Sequence, residues 1–489
     1  MTYRLPRIMH WLQNNNLSHY ATHILRQLYN NPLSEYLILN FITLSKTDKL
    51  ANLVQFISMI LSVIGVSYIA KYLGASKKGQ LYSAFIAITV PMGIIQAPDC
   101  QNDYIVTFFM TSFVLSGLLL LNNNLSKPKT NLYEFICAIS LGLSVLTKGT
   151  AYFFMFPFGC LLVILYFYKK KKKSLLLITL LILIPLCING PQYYRNYNTF
   201  NNIIAPEDHI EEYYSVKHLT LKGFISSTIR NTFLHIQLPD ENLRIHIQKS
   251  IEDIHKSINY PINHPDTTIG GHYRHPKFML KGIEINDHFT GNTLHLLLIV
   301  ISFLLFIIPS IRKENKKVLI YSLVVLSGYL MFCLLVKWQP FGTRLHLGIF
   351  ILFSPLISIL LTYIEKIKMN LLGCLIVILI FLNALPYILL SQFRPLIGEY
   401  NVFTTPKYPQ YYANMRHLQQ HQLSGFETLF YLNKTSIGLV LWMDEYEYPI
   451  WARLHEMKKK FKIQHVNVNN ISKKYKNDNV DVILDFSHL

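Results

Sequence analysis

Charge is scarce in this chain, and acidic charge is scarcest. Of its 489 residues only 15% are Asp, Glu, Lys or Arg, and 27 acidic side chains stand against 46 basic ones. With 51% hydrophobic residues gathered into blocks joined by short polar links, the pattern is that of a polytopic membrane protein rather than a water-soluble one. Cysteine is sparse too. The six are Cys100, Cys137, Cys160, Cys187, Cys333 and Cys374; none shows CxxC spacing and all but Cys100 fall in apolar blocks, which excludes a disulfide framework and a cysteine-based zinc site. Internal repeats and low-complexity linkers are also missing. The net charge of +19 does not imply nucleic acid, because much of it lies in short links between apolar blocks, where Lys and Arg mark the cytoplasmic side.

Windows long enough to cross the hydrocarbon predict about ten spans, at roughly 50–72, 80–97, 104–122, 132–148, 150–168, 174–190, 292–311, 318–336, 345–363 and 371–390. Lys77 and Lys78, Lys127 and Lys129, the run 169–173, the run 312–317, and Lys366 and Lys368 fall at alternate links. Those links are therefore cytoplasmic. The opposite set is extracytoplasmic: QAPDCQND (96–103), LTKGT (146–150), a large loop 191–290, KWQPFGTR (337–344) and the tail 391–489. The chain thus divides into a first-loop segment 1–49, a transmembrane core 50–390 and a tail 391–489. Within 1–49, Ile8, Trp11, Leu12, Ile24, Leu25, Leu28 and Tyr29 recur at helical steps opposite His, Asn and Gln, a pattern expected to lie in the membrane interface. Helices are predicted at 219–235 and 241–258, and the strand-like IGLVLW (437–442) and VDVILDF (480–486) beside YPIWARLHEMKKKF predict a small α/β domain in the tail. The fold class is mainly α.

Alternation also puts residues 1–49 outside, with no span to carry them there, so a further helix upstream of Met1 is expected. Few ionisable groups lie at mid-membrane depth, where a pump or ion-coupled transporter needs them. They gather instead at the outer ends of the spans, where an enzyme handling a lipid headgroup needs them. Candidates are Arg4, Arg7, Glu35, Asp99, Asp103, Lys148, Arg195, Asp287, His288, Lys337, Arg344 and Arg394. A carboxylate at a span boundary suits a general base, here Asp103 or Glu35. Converging cations suit a phosphate, Arg with bidentate geometry. Each has a plain alternative: Lys148 and Lys337 as snorkelling side chains, Arg394 as a flanking charge, Asp103 as a helix cap. His272 and His275, with His264 and Asp266 close in sequence, have a spacing open to a divalent metal but lack a Cys or carboxylate in register, so no metal is assigned. WMDEYEYPIW reads as a solvated acidic patch.

The ordered motifs TYRLPRIMHWLQ, NPLSEY, QNDYIVTFF, LTKGTAYFF, YYRNY, FTGNTLHLLL and KWQPFGTRLHL resemble those of the membrane-embedded GT-C glycosyltransferases, in particular the glycosyltransferase family 39-like relatives of protein O-mannosyltransferases and the lipid A aminoarabinose transferase. The resemblance runs over nearly the whole chain. It implies a GT-C-like fold, a polyprenyl-phosphate-linked sugar donor, inverting displacement at the anomeric carbon, and a lipid, glycan or protein acceptor at the outer face of a bacterial inner membrane, with membrane lipids as partners, no nucleic acid and no cofactor. It further implies that Asp103 is the acidic residue of the second outer loop, that Lys148, Arg195 and Arg344 contact phosphate or headgroup, and that Asp287 occupies one position of an acidic pair whose other position is here Asn286. Arg4 replaces the His that relatives carry. In such enzymes the principal catalytic Asp precedes the Tyr-x-Leu-Pro-Arg stretch, which again places it upstream of Met1; within this chain Asp103 or Glu35 is left to act. The alternatives are a ligase or polymerase of diphosphate-linked glycans, working through Arg and His of the 191–290 loop, a flippase or transporter, and a non-catalytic homologue.

Overall fold

The computed structural model describes residues 1–122, 125–170, 172–270, 276–420, 422, 434–442, 445–456 and 460–486. Among the described residues seven helices are long and apolar enough to cross a membrane: Leu53–Leu73, Asp103–Leu120, Lys127–Thr147, Thr150–Lys169, Ser174–Phe200, Lys316–Leu335 and Asn370–Leu389. Gly342–Leu352 and Ser354–Lys366, bent by 52°, make an eighth if counted as one span. This corrects the expected number of about ten. The 80–97 block divides into Lys77–Ile88 and Pro91–Gln96, with Val90 extended between them. The 292–311 block divides into Thr293–Leu304, a 3-10 turn and Pro309–Glu314, with Ile308 extended. The cause is the same in both. Proline crowds the residue before it out of helical geometry and donates no N–H to the preceding turn. A further correction is that the helix read as ending at 190 runs on to Phe200, so YYRNY is helical and Arg195 projects from a helix rather than a loop.

Two compact units divide the chain: residues 52–189 with 208–391, and residues 1–51 with 190–207 and 392–489. The first holds the span core, including Val66, Ile86, Met110, Phe113, Phe154, Phe158, Phe332 and Leu356. Its helices approach closely where glycine allows it. A Cβ on Gly328 would sit 2.8 Å from the Phe154 carbonyl oxygen, and one on Gly117 2.8 Å from the Phe158 ring, the small-residue packing expected where no hydrophobic drive brings helices together. The helices predicted at 219–235 and 241–258 appear as Leu221–Phe233 and Glu241–Ser257, capped by Thr220 and Asp240, whose side chains accept from Gly223 N and Leu243 N.

In the second unit a three-stranded parallel sheet has the order β2-β1-β3, with β1 Ser436–Val440, β2 Lys462–His465 and β3 Val482–Asp485. The central strand buries Ile437 and Leu439. The sequence pattern indicated β1 and β3 but not β2, Lys462–His465, a strand of only four residues with polar alternates. Helix Arg4–Asn14 was expected in the membrane interface with one polar face. Instead both its faces are occupied: Ile8 and Trp11 are buried, and so are Arg4, Arg7 and His10. Its polar side bonds to the tail, where Gln13 Nε2 donates to Ile463 O at 2.8 Å and Ile463 N donates to Gln13 Oε1 at 2.7 Å. Segments 1–49 and 391–489, separate in sequence, therefore share one unit.

Candidate functional site

In the span-bearing unit Asp103 opens its helix at the first turn. The chain before it is fixed by hydrogen bonds: Asn102 Nδ2 donates to Thr147 O at 2.7 Å, Tyr104 N to Gln55 Oε1 at 3.2 Å, and Gln55 Nε2 to Gln96 O at 3.0 Å. Lys148 follows helix Lys127–Thr147 in extended conformation. Its ammonium pairs with Asp103 Oδ1, the two side chains being 17% and 2% exposed. Oδ2 of Asp103 is buried and has no hydrogen-bond partner among the described residues. A buried carboxylate with one oxygen on a cation and the other unmatched carries an unmet acceptor.

Helix Leu347–Leu352, which directly follows the 3-10 turn Gly342–His346, lies against the same helix. Built on Gly348, a Cβ would be 3.2 Å from Thr107 Oγ1, and that hydroxyl donates to Asp103 O at 2.6 Å. Arg344 is half-buried on the turn Gly342–His346, its guanidinium 5.6 Å from the Phe341 ring centroid and its Nε without a hydrogen-bond partner among the described residues. Asp287 is buried, and its carbonyl accepts from Gln96 Nε2 at 2.9 Å. Its neighbour Asn286 is a turn-former: Oδ1 accepts from His288 N and Phe289 N, and Nδ2 donates to Glu284 Oε2. Lys337 is placed elsewhere in this unit. Burial pulls its pKa below the ordinary lysine value, while Asp266, Glu212 and Glu211 around it act the other way.

Arg4, Arg7, Glu35 and Arg195 all belong to the other unit. Glu35 is fully buried; Arg4 Nη1 reaches its Oε1 at 3.2 Å, Arg7 Nη1 at 3.8 Å, and Ser34 Oγ donates to Oε2 at 2.5 Å. Arg7 donates to the carbonyls of Asn30 and Leu28 at 2.7 and 2.6 Å, and desolvation lowers its pKa, with Glu35 opposing. Arg195 Nη2 donates to Tyr36 Oη at 2.6 Å and Gln192 Oε1 at 2.8 Å. Arg4, Arg7 and Glu35 are thus bonded together, while Arg195 bonds to Tyr36 and Gln192; Glu35 serves as the counter-ion of two arginines, with both oxygens engaged.

Sequence reasoning missed a second cluster there. Glu447, read as part of a solvated patch, is fully buried, which corrects that reading; Asp444 lies outside the described residues. Its Oε1 accepts from His10 Nε2 at 2.7 Å and Trp451 Nε1 at 2.9 Å; its Oε2 accepts from Gln27 Nε2 at 2.5 Å and stands 3.2 Å from His465 Nε2. Among the described residues, His10, Glu447 and His465 are the group whose ligand atoms, within 4.8 Å of one another, match a metal's reach. Protons already fill it. His23 N donates to His465 Nδ1 at 3.2 Å, so that ring carries its hydrogen on Nε2 and offers no lone pair toward Glu447. The His272 and His275 reading lies outside the described residues, while Asp266 pairs with His218 Nδ1 at 2.8 Å.

Residues 30–188 match the family model described as dolichyl-phosphate-mannose-protein mannosyltransferase, in agreement with the resemblance of the sequence motifs. No curated protein matches the chain. Two solved structures are similar: ArnT from Cupriavidus metallidurans bound to undecaprenyl phosphate, with 13% identity over 88% of this chain and 67% of that one at a TM-score of 0.45, and the same protein in the apo state, with 12% identity over 73% and 72% at 0.35.

Proposed function

We propose that this chain, a multi-pass membrane protein matching the dolichyl-phosphate-mannose-protein mannosyltransferase family over residues 30–188, transfers a sugar from a polyprenyl-phosphate donor to a lipid, glycan or protein acceptor. The observation that carries the reading is the Asp103–Lys148 pair, in which Asp103 Oδ2 is unmatched among the described residues, with the helix that follows the Arg344 turn packed against the Asp103 helix. The acceptor oxygen attacks the anomeric carbon as the bond to the phosphate oxygen breaks; the acceptor's proton passes to Asp103 Oδ2, and the polyprenyl phosphate departs with the electron pair. Lys148 holds Asp103 in place through their ion pair. Arg344, with hydrogen-bonding capacity to spare, neutralises the charge that builds on the leaving phosphate. Arg4, Arg7 and Glu35, engaged with one another, order the segment that carries them. Arg195, Asp287 and Lys337 have no assigned contact with the reacting atoms. Alternate basic links support placing this chemistry at the outer face of a bacterial inner membrane.

The test is sugar transfer from a polyprenyl-monophosphate donor to membrane acceptors by the purified protein. Asp103→Asn is expected to lower kcat by about 10²–10⁴-fold, the usual contribution of a general base. Wild-type rates in both Asp103→Asn and Arg344→Ala would overturn the reading, and consumption of a diphosphate-linked donor alone would replace it with a ligase.

A further inference from the structure

A chain of three buried polar side chains ends beside this site. Met92 N donates to Asn292 Oδ1 at 3.0 Å, which fixes the orientation of the amide: Oδ1 accepts, so Nδ2 is the donor. Nδ2 lies 3.2 Å from His235 Nδ1, and His235 Nε2 lies 3.0 Å from His346 Nδ1. Each link dictates the next. Because Asn292 donates to His235 Nδ1, the His235 hydrogen is on Nε2; because that hydrogen points at His346 Nδ1, the His346 hydrogen is also on Nε2. Asn292, His235 and His346 are at most 1% exposed. Burial and the neighbouring His346 push the His235 pKa well below the usual histidine range, which keeps the relay uncharged.

The terminal His346 Nε2 is buried and, among the described residues, without a hydrogen-bond partner. A buried donor left unmatched is costly, and here three residues conspire to hold it in the donating tautomer. His346 lies two residues before Gly348, which packs on Thr107 of the Asp103 helix, and within electrostatic range of Lys148. The rings of Tyr329 and Phe332 stand edge-to-face with it at 5.3 and 4.9 Å.

We propose that His346 is a neutral, tautomer-locked hydrogen-bond donor for a phosphate oxygen of the polyprenyl phosphate, with Asn292 and His235 as the positioning residues that lock it. This rests on the functional reading above. A neutral donor suits this place: beside Lys148 and Arg344 it adds a directional bond without adding a third cation, so the phosphate is gripped yet released as product.

The experiment measures binding of a short-chain polyprenyl monophosphate, with inorganic phosphate as the lipid-free comparison, to the full chain in detergent at pH 8. His346→Phe is expected to weaken binding about 10–100-fold, the worth of one hydrogen bond to a charged group. Asn292→Asp is the decisive variant. Its carboxylate still accepts from Met92 N but can no longer donate, so His235 must present Nδ1–H, His346 must donate from Nδ1, and a lone pair then faces the phosphate. It is expected to weaken binding at least as much as His346→Phe although it touches no ligand. Nitrogen-15 spectra of histidine-labelled protein should show Nε2–H at both rings in the wild type and the reversed tautomer in Asn292→Asp. If wild type binds and Asn292→Asp binds equally while its tautomer has reversed, the inference is overturned and His346 is an aromatic-packed structural residue. Nδ1–H tautomers in the wild type overturn it as well. Failure of the wild type to bind the lipid phosphate at all overturns the functional reading with it.

Discussion

Replacing Glu447 with Ala tests how the second unit is held together. Glu447 takes N–H bonds from His10, Gln27 and Trp451 and faces His465 Nε2, and it comes from helix Tyr448–Glu456's own leading edge while His10 comes from helix Arg4–Asn14. Removal strands at least three buried donors in a site sealed from water. At about 1–3 kcal/mol for each unmet buried group, with partial relaxation, the loss is expected to be about 3–5 kcal/mol, the range found when one partner of a buried ionic network is deleted. Glu447→Gln keeps the shape and one acceptor oxygen but turns an amide N–H toward a donor, so it should retain roughly half of that. The assay is thermal unfolding of the full chain in detergent, with a double-mutant cycle against His10→Ala, where a coupling of about 1–3 kcal/mol is expected. A Glu447→Ala protein that melts with the wild type would refute the assignment of Glu447 as the organiser of this unit.

The same unit is expected to weaken in acid. Burial and the nearby Arg7 and Arg195 hold the His19 pKa down at about 3; the ring is neutral when folded and protonates on unfolding, so its contribution is full above about 6.5 and is lost as pH falls toward 3. Glu447, desolvated yet held ionised by His465 and His10, has its pKa well below the ordinary value, a contribution that is lost only below about 4.5. Melting temperature should therefore decline from pH 7 to pH 4, and His19→Gln should flatten the upper part of that decline. Gly328→Ala places a methyl against the Phe154 backbone and should cost about 1–3 kcal/mol by overpacking, read as a lower melting temperature; an unchanged value would show that the helices separate freely. Arg230 is fully buried, donates to Thr267 and Thr268, and lies 5.3 Å from the Trp338 ring centroid. Its pKa is pulled down to about 9, mainly by burial. Arg230→Met should cost about 1–3 kcal/mol through the acceptors it abandons, measured by the same unfolding assay.

Spans were legible where hydropathy alone decides. Leu53–Leu73 or Asn370–Leu389 needs nothing beyond its own length and composition. The two blocks that broke did so at Val90-Pro91 and Ile308-Pro309, where a local covalent constraint overrides an apolar average. Site residues were legible to the same depth. Polar groups at span ends stood out against their apolar surroundings, which is why Asp103, Lys148 and Arg344 were candidates, yet nothing in the string distinguishes Glu35, whose oxygens are engaged, from Asp103, whose Oδ2 has no partner among the described residues. Glu447 looked solvated because its neighbours in sequence are acidic; the histidine that bonds it is 437 residues away. Asn292, His235 and His346 share no sequence window, and the direction of their hydrogen bonds exists only once the Met92 amide is in place.

The contact between Gln13 and Ile463 spans 450 residues, and it has a consequence for how the protein is made. During translation helix Arg4–Asn14 leaves the ribosome long before its partners do, at a rate of about 5–20 residues per second. For all that time His10 and Gln13 have no native acceptor, so this helix must be hydrated, lipid-bound or chaperoned until Glu447 and Ile463 arrive. A ribosome that stalls before Ser436 leaves a product whose span helices have been made while helix Arg4–Asn14 still lacks Glu447 and Ile463, so quality-control proteases would meet that unpartnered helix.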